Sequence, residues 1–311
     1  MAARHTYATA DDLRDYLAGT SYSSGWTSDA NAIRRILEAS SRRIDDYCEG
    51  GSFGPQTETR FYDIGSGSLR ESPQYQTMSV ADDIRVSMST PGIIQLDGWL
   101  VSTTTVTAYG GTDRATSETL TEGYANDFFL MPYNADPKTT LKLNEDTTKG
   151  LDSGQQTLSI LGSWGYTADT SSVTTSDAIS STTATSVSVT SAADLGPAQT
   201  ILIDSEQLYI TAISGNNLTV ERSANGTTGA THSGGATVYR YVYPELVVQA
   251  CLDLSKIVFR DRDLGAVSSV TMRSSIGSGD AQITGALGEI HSILSALDSY
   301  RATGTSSGVI F

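Results

Sequence analysis

Two helical stretches of similar chemistry stand far apart in this chain, with β-patterned sequence between them. Near one end ADDLRDYLAG is followed by DANAIRRILEASSRRIDDYCEG, and near the other comes YPELVVQACLDLSKIVFRDRD. In the long first stretch Ile33, Ile36, Leu37, Ser40, Ile44, Tyr47 and Cys48 recur at three- and four-residue spacing, which puts them on one stripe of a helix. Arg34, Arg35, Glu38, Arg42, Arg43 and Asp46 take the remaining surface. The later stretch repeats the pattern with Leu246, Val247, Ala250, Cys251, Leu254, Ile257 and Val258, opened by Pro244 at a position where a missing N–H costs nothing. Two distant amphipathic segments must bury their stripes somewhere, and burying them on each other predicts a helical-bundle core.

Local punctuation supports the helices. Thr9 is placed to cap a first helix, with Asp11 and Asp12 in its first turn facing the positive end of the macrodipole and Gly19 as its stop. Ser28 or Asp29 caps the second, which Gly50 and Gly51 end. A last helix is expected where Ile283, Ala286, Leu287, Ile290, Leu294, Leu297 and Tyr300 repeat at helical spacing.

Between Thr57 and Tyr166 the period changes to two. TETRFYDI, IIQLDGWLV, TVTAYG, DFFLMP, TTLKLN and QQTLSILGSWGY read as strands divided by Gly, Asp and Asn clusters, while MSVADDIRVS fits a strand or a helical turn equally. Thr167 to Ala184 is almost entirely Ser, Thr, Asp and Ala, which reads as a linker or a loosely held strand pair. Beyond it Ile201, Ile203, Leu208, Ile210, Ile213, Leu218 and Val220 alternate in short strands, with a hairpin turn at Ser214 to Asn217. The expected fold class is therefore α+β: a helical-bundle core from N- and C-terminal helices, a central β region, and an inserted small all-β domain. The expected division is a core of 1–166 with 241–311, an inserted linker and β module over 167–240, and a flexible tail over 302–311.

The formal charge of −15 argues against a phosphate-binding surface, because nucleic-acid affinity is supplied by clustered Lys and Arg. Cys48 and Cys251, the only cysteines, each sit on an apolar helical stripe and read as buried free thiols, with a bridge between the helices as the other possibility. His5, His232 and His291 are scattered and suggest no ligand set. No apolar run is long enough to span a bilayer, and MAARHTYATADD lacks the apolar stretch of a signal peptide, so the expectation is a cytoplasmic chain with no membrane partner.

Catalytic motifs are missing. Asp11-Asp12, Asp45-Asp46 and Asp82-Asp83 are adjacent pairs on solvated faces, unlike the cleft carboxylates of acid–base chemistry. There is no strand-to-helix nucleophile elbow, no GxxxxGK[ST] loop and no DxDxDG calcium loop, and GSGSLRE and SIGSGDA read as plain loops. Asn217-Leu-Thr219 and Asn225-Gly-Thr227 match glycosylation acceptors, which mean little without a secretory signal. The chain is expected to be no enzyme and to need no cofactor or metal.

Two surface features remain. In RRILEASSRRIDDY the charges lie four apart, Arg34 with Glu38, Glu38 with Arg42 and Arg42 with Asp46, which fits a salt-laced exposed helix or a subunit interface made by Arg34, Arg35, Glu38, Arg42, Arg43 and Asp46. The chain ends in Val309, Ile310 and Phe311, three large apolar side chains suited to a neighbour's sheet edge or pocket.

YATADDLRDYLAG, IRRILEASSRRIDDYCEGGSFGPQTETRFYD, LMPYNADP, the strand ending GSWGY, YPELVVQACLDLSKIVFRDRD and ALDSYR, in that order, resemble the head–tail connector (adaptor) proteins of long-tailed bacteriophages. The resemblance covers about three quarters of the chain and rests on patterned core residues more than on an invariant motif. It departs between Tyr166 and Tyr243, where related chains pass almost directly from strand to helix; ILIDSEQLYITAISGNNLTVERSANGTTGATHSGG resembles small β repeats of other phage virion proteins, in which His232 sits in a turn and does no chemistry. The resemblance implies a virion structural protein, assembled in the host cytoplasm as a homo-oligomeric ring of about twelve copies. Such a ring joins the portal protein to the next neck or tail-terminator protein and lets DNA pass without specific binding. It implies a portal-anchoring role for Val309, Ile310 and Phe311. The competing expectation is a carbohydrate- or surface-binding, tail-associated module on a helical stalk, with Tyr209, Tyr239 and Tyr241 as stacking residues.

Overall fold

A computed structural model of the chain describes residues 4–18, 30–64, 92–110, 114–144, 149, 154–263 and 286–301. These form two compact units: Met1–Gln56 together with Thr167–Phe311, and Thr57–Tyr166.

The second unit is a six-stranded sheet. Its strands are β1 (Gln56–Ile64), β2 (Ile93–Gly110), β3 (Thr116–Leu120), β4 (Phe128–Met131), β5 (Lys138–Leu143) and β6 (Gly154–Trp164). They lie in the order β1-β6-β2-β5-β4, with β3 also on β2. The two predicted strands IIQLDGWLV and TVTAYG are one 18-residue strand. One edge of β2 holds β6 from Leu100 to Ala108; the other is shared by β5, from Ile93 to Leu100, and β3, from Val106 to Gly110. Leu100, Val106, Phe128, Leu141, Leu158, Ile160 and Trp164 pack one core. Trp164 is closed over by the Arg60 guanidinium, 4.1 Å from its ring, and its indole N–H donates to the Glu58 carbonyl at 3.1 Å.

The other unit joins helices to a second sheet. The helices are α1 (Ala10–Leu17), α2 (Ala30–Cys48), α3 (Glu245–Asp263) and α4 (Ala286–Ser295). The sheet runs β7 (Thr170–Thr175), β8 (Ser186–Ser188), β9 (Thr200–Ile203), β10 (Glu206–Ser214), β11 (Asn217–Glu221) and β12 (Thr237–Tyr241), in the order β7-β12-β9-β10-β11-β8. Thr9 caps α1 as expected, and reciprocally: its hydroxyl accepts from the Asp12 N–H while the Asp12 carboxylate accepts from the Thr9 N–H. Gly215 carries a φ of 60° in the hairpin between β10 and β11, at the predicted turn. The Ser- and Thr-rich stretch after Tyr166 is not loose throughout; it supplies β7, paired along its length with β12.

The expected helical-bundle core is not what holds this protein. Among the described residues strand outweighs helix, 40% against 26%, in two antiparallel six-stranded sheets. The helices do meet, since the Ser255 hydroxyl donates to Ser40 across α2 and α3 at 3.0 Å and Tyr16 of α1 donates to Asp253 of α3. Their small residues Ser40, Ser41, Cys251 and Ser255 let the axes approach but fill little apolar volume. The second sheet has a core of its own, with Ile201, Ile203, Leu208, Ile210, Leu218, Val220 and Val238. Periodicity identified the helices and their mutual packing but misjudged their share of the fold, which two six-stranded sheets dominate.

Candidate assembly surfaces

The functional question turns on which polar groups of the helical unit are consumed by folding and which are left facing outward. The consumed set centres on the extended segment Arg4–Thr9. Tyr7, 2% exposed, donates its hydroxyl to the Asp45 carboxylate of α2 and accepts the Phe53 N–H at 2.9 Å, while its own N–H donates to the Ser41 hydroxyl at 3.2 Å. Its ring meets Phe53 and Tyr243 edge to face. His5 is equally buried: Nε2–H can satisfy the Pro55 carbonyl at 2.9 Å, leaving Nδ1 to accept from the Tyr243 hydroxyl at 2.8 Å. Asn225 accepts the Arg4 N–H at 2.6 Å and donates to Gln207 at 2.7 Å, which in turn donates to the Pro55 carbonyl at 3.0 Å.

Burial sets the protonation of this junction. Removal from water lowers the His5 imidazolium to about 3, so the ring is neutral in neutral solution. The same desolvation pushes the Asp45 carboxyl up to about 7, against the opposing pull of Arg42 at 2.9 Å and of the Tyr7 hydroxyl. Cys48 and Cys251 are buried free thiols, Cys48 raised by burial to about 12. None of these groups is exposed to a substrate, and the arrangement acts as a joint.

The six charged residues predicted for α2 are divided by the fold. Arg34, Glu38 and Arg42 face inward or sideways. Glu38 accepts the Tyr209 hydroxyl and lies 3.6 Å from Arg4, and Arg42 donates to the His5 carbonyl at 2.6 Å with its guanidinium over the Tyr7 ring. Arg35, Arg43 and Asp46 are exposed. The expected ladder of pairs four residues apart gives way to pairs with the N-terminal segment and the second sheet, because partners from 4–9 and 198–225 reach the same face of α2. Sequence spacing alone carries no sign of those partners.

The second sheet docks on this joint. Besides Tyr209, Thr200 donates to the Arg4 carbonyl and Thr6 to the Ala198 carbonyl. Two of the three tyrosines expected to stack on sugars are thereby used up: Tyr209 is fully buried and Tyr241 is 8% exposed, so neither offers an open ring face. Within the sheet unit sequence reasoning missed a buried polar clasp. Glu206, with a fully buried side chain, takes a bidentate pair from Arg222 at 2.7 and 2.6 Å and the N–H groups of Ser223 and Ala230. His232 sits behind it, its ring nitrogens 2.7 Å from Asp204 and 3.0 Å from Glu206. Burial alone would raise the Glu206 carboxyl; Arg222, the Ala230 N–H, His232 and the Ser223 N–H together outweigh it and hold it down at about 2. Arg222 also donates to the carbonyls of Ser181, Ala184 and Ala230, so one guanidinium joins two loops.

A cleft of roughly 460 Å3 opens between the N-terminal segment, α1, β12 and the start of α3. Asp12, Asp15 and Glu245 line it against a single guanidinium, Arg240, which donates to Ser171 at 3.2 Å. Val242 and, beside Glu245, Leu246 are exposed large apolar side chains. The predicted anchor Val309, Ile310 and Phe311 lies outside the described residues, as does MSVADDIRVS. Among the described residues no group of His, Cys, Asp and Glu is arranged to hold a metal, and no helix is long and apolar enough to cross a membrane. No protein-family model, curated protein or solved structure matches the chain.

Proposed function

We propose that this chain is a virion structural protein, a subunit of the ring that joins a phage portal to the neck or tail and extends the DNA channel. One observation carries the reading. Four of the six segments that bear the resemblance to connector proteins meet at one joint: Tyr7 from YATADD, Asp45 and Phe53 from the segment RRIDDYCEGGSFGP, Tyr243 from YPELVV and Tyr300 from ALDSYR, while LMPYNADP and the strand ending GSWGY belong to the other unit. The four are linked by the Tyr7–Asp45 hydrogen bond and by edge-to-face contacts from Tyr7 to Phe53 and Tyr243 and from Phe53 to Tyr300. A shared joint for these segments is what the resemblance would require, and it supports the reading to that extent. The formal charge of −15 fits a channel wall over which DNA slides without sticking. On this reading Val309, Ile310 and Phe311 anchor the subunit to the portal.

Electron microscopy of the purified chain mixed with portal-bearing, tailless capsids tests it. A ring of added density at one vertex is expected, and its loss when residues 308–311 are deleted. Bare portals at saturating protein would sink the connector reading, and rings formed equally by the shortened chain would remove the anchor from it.

A further inference from the structure

Two surfaces of the helical unit are left over by its own folding, and they are opposite in charge. The first is the outward face of α2. Arg35 and Arg43 are exposed and, among the described residues, have no ion-pair or hydrogen-bond partner, whereas Arg4, Arg14, Arg42, Arg222, Arg260 and Arg301 each pair with a carboxylate of the unit. They stand two helical turns apart, about 12 Å along the axis, with exposed Ala39 between them. Asp46, one turn further, is the exposed acid that bounds the stripe. The second surface is the cleft, where three carboxylates face one tethered guanidinium. Asp12 is spent on capping α1, but the Asp15 side chain is 79% exposed, with Arg14 only at 3.6 Å, and Glu245 is exposed at the first turn of α3.

We infer that the Arg35–Ala39–Arg43 face of α2 docks against the Asp15 and Glu245 rim of the cleft on a second copy of this chain. This rests on the many-copy reading above and names the contact that reading requires. Two guanidiniums can take two carboxylates in forked geometry, and the small Ala39 lets the helix settle between them over Val242 and Leu246. The surfaces are different patches of one molecule, so the contact is head-to-tail: each copy offers a free stripe to the next and a free cleft to the last, and the chain of contacts closes where the rotation allows. Charges at such a rim fix orientation and encounter rate more than affinity, so the association is salt-sensitive.

Sedimentation velocity on the full-length chain, over a concentration series at low ionic strength, reads the outcome. Three samples are compared with wild type: Arg35→Glu with Arg43→Glu, Asp15→Lys with Glu245→Lys, and an equimolar mixture of the two. Wild type is expected to self-associate reversibly and less so in salt. Each variant alone should lose at least about tenfold in association constant through like-charge contact, and the mixture should recover it, because stripe and cleft are again complementary between variants. A shift of four charges either way from −15 leaves both variants net negative, so bulk attraction cannot imitate the rescue. Thermal melts confirm that all samples are folded. A monomeric wild type, variants that associate like wild type, or a mixture that fails to recover would each overturn the contact. Association untouched by the reversals would leave the ring reading standing with another interface, whereas bare portals in the capsid experiment would remove the ring reading itself.

Discussion

Asp45 shows how much a single buried carboxyl can say about this joint. It stands between a guanidinium and a phenol that both favour its charged form, yet the loss of water dominates and raises it from 3.8 to about 7. The sign of the linkage follows from that direction. Below the unfolded value the protonated form is shared by both states and its contribution is intact; as pH climbs through about 7 the fold must hold a buried carboxylate, and stability falls. Wild type should therefore carry a falling contribution to urea resistance from Asp45 between about pH 4 and 7, set against the rising one that neutral His5 makes below its free value of 6.5. Asp45→Asn, which keeps an acceptor for the Tyr7 hydroxyl and cannot ionise, should remove the falling contribution and be the more stable protein on the alkaline side. Equal slopes for the two proteins would show that the charge on Asp45 is not what the joint resists.

At the scale of elements, the sheet of β7 to β12 depends on a clasp more than on its strand lengths. With three residues in β8 and four in β9, hydrogen-bond ladders are short, and Arg222 ties the 181–184 and 223–230 loops to Glu206 instead. Arg222→Met should leave the Glu206 carboxylate buried without its partner and cost about 3–5 kcal/mol in a urea titration. The Glu206→Gln, Arg222→Met double variant should recover much of this, since neither group then carries a charge. Because Glu206 is held below its ordinary value, the stability it contributes is complete above pH 4.5 and lost as pH falls toward 2. The elements themselves were largely legible in the sequence. The Thr9 cap, the α2 stripe, the Gly215 turn and five of the six strands of the first sheet follow from local chemistry. β3, TSETL, escaped because four of its five residues are exposed and give no alternation, and β2 was split because Ser102 to Thr105 carries no large apolar side chain. What could not be read was partnership. His5 meets Tyr243 across 238 positions, and nothing within either segment announces the other.

For the whole molecule, the two units are separable by chain path. The Thr167 N–H donates to the Phe53 carbonyl at 3.1 Å, so the helical unit releases the chain and takes it back at neighbouring points. Replacing 57–166 with a short Gly-Ser linker should leave a folded helical unit with a cooperative thermal transition, and 57–166 alone should keep its strand signature in circular dichroism. A molten remainder would mean that the units stabilise each other. The joint that Arg4–Thr9 makes has a further consequence for biosynthesis. Residues 57–166 are contiguous and can complete their sheet while translation continues, but Arg4–Thr9 must wait, solvated, for Ala198, Asn225 and Tyr243. The helical unit therefore closes only after well over half of its sequence has been made, and a nascent chain halted before residue 243 would carry one finished unit and one that a protease could still cut.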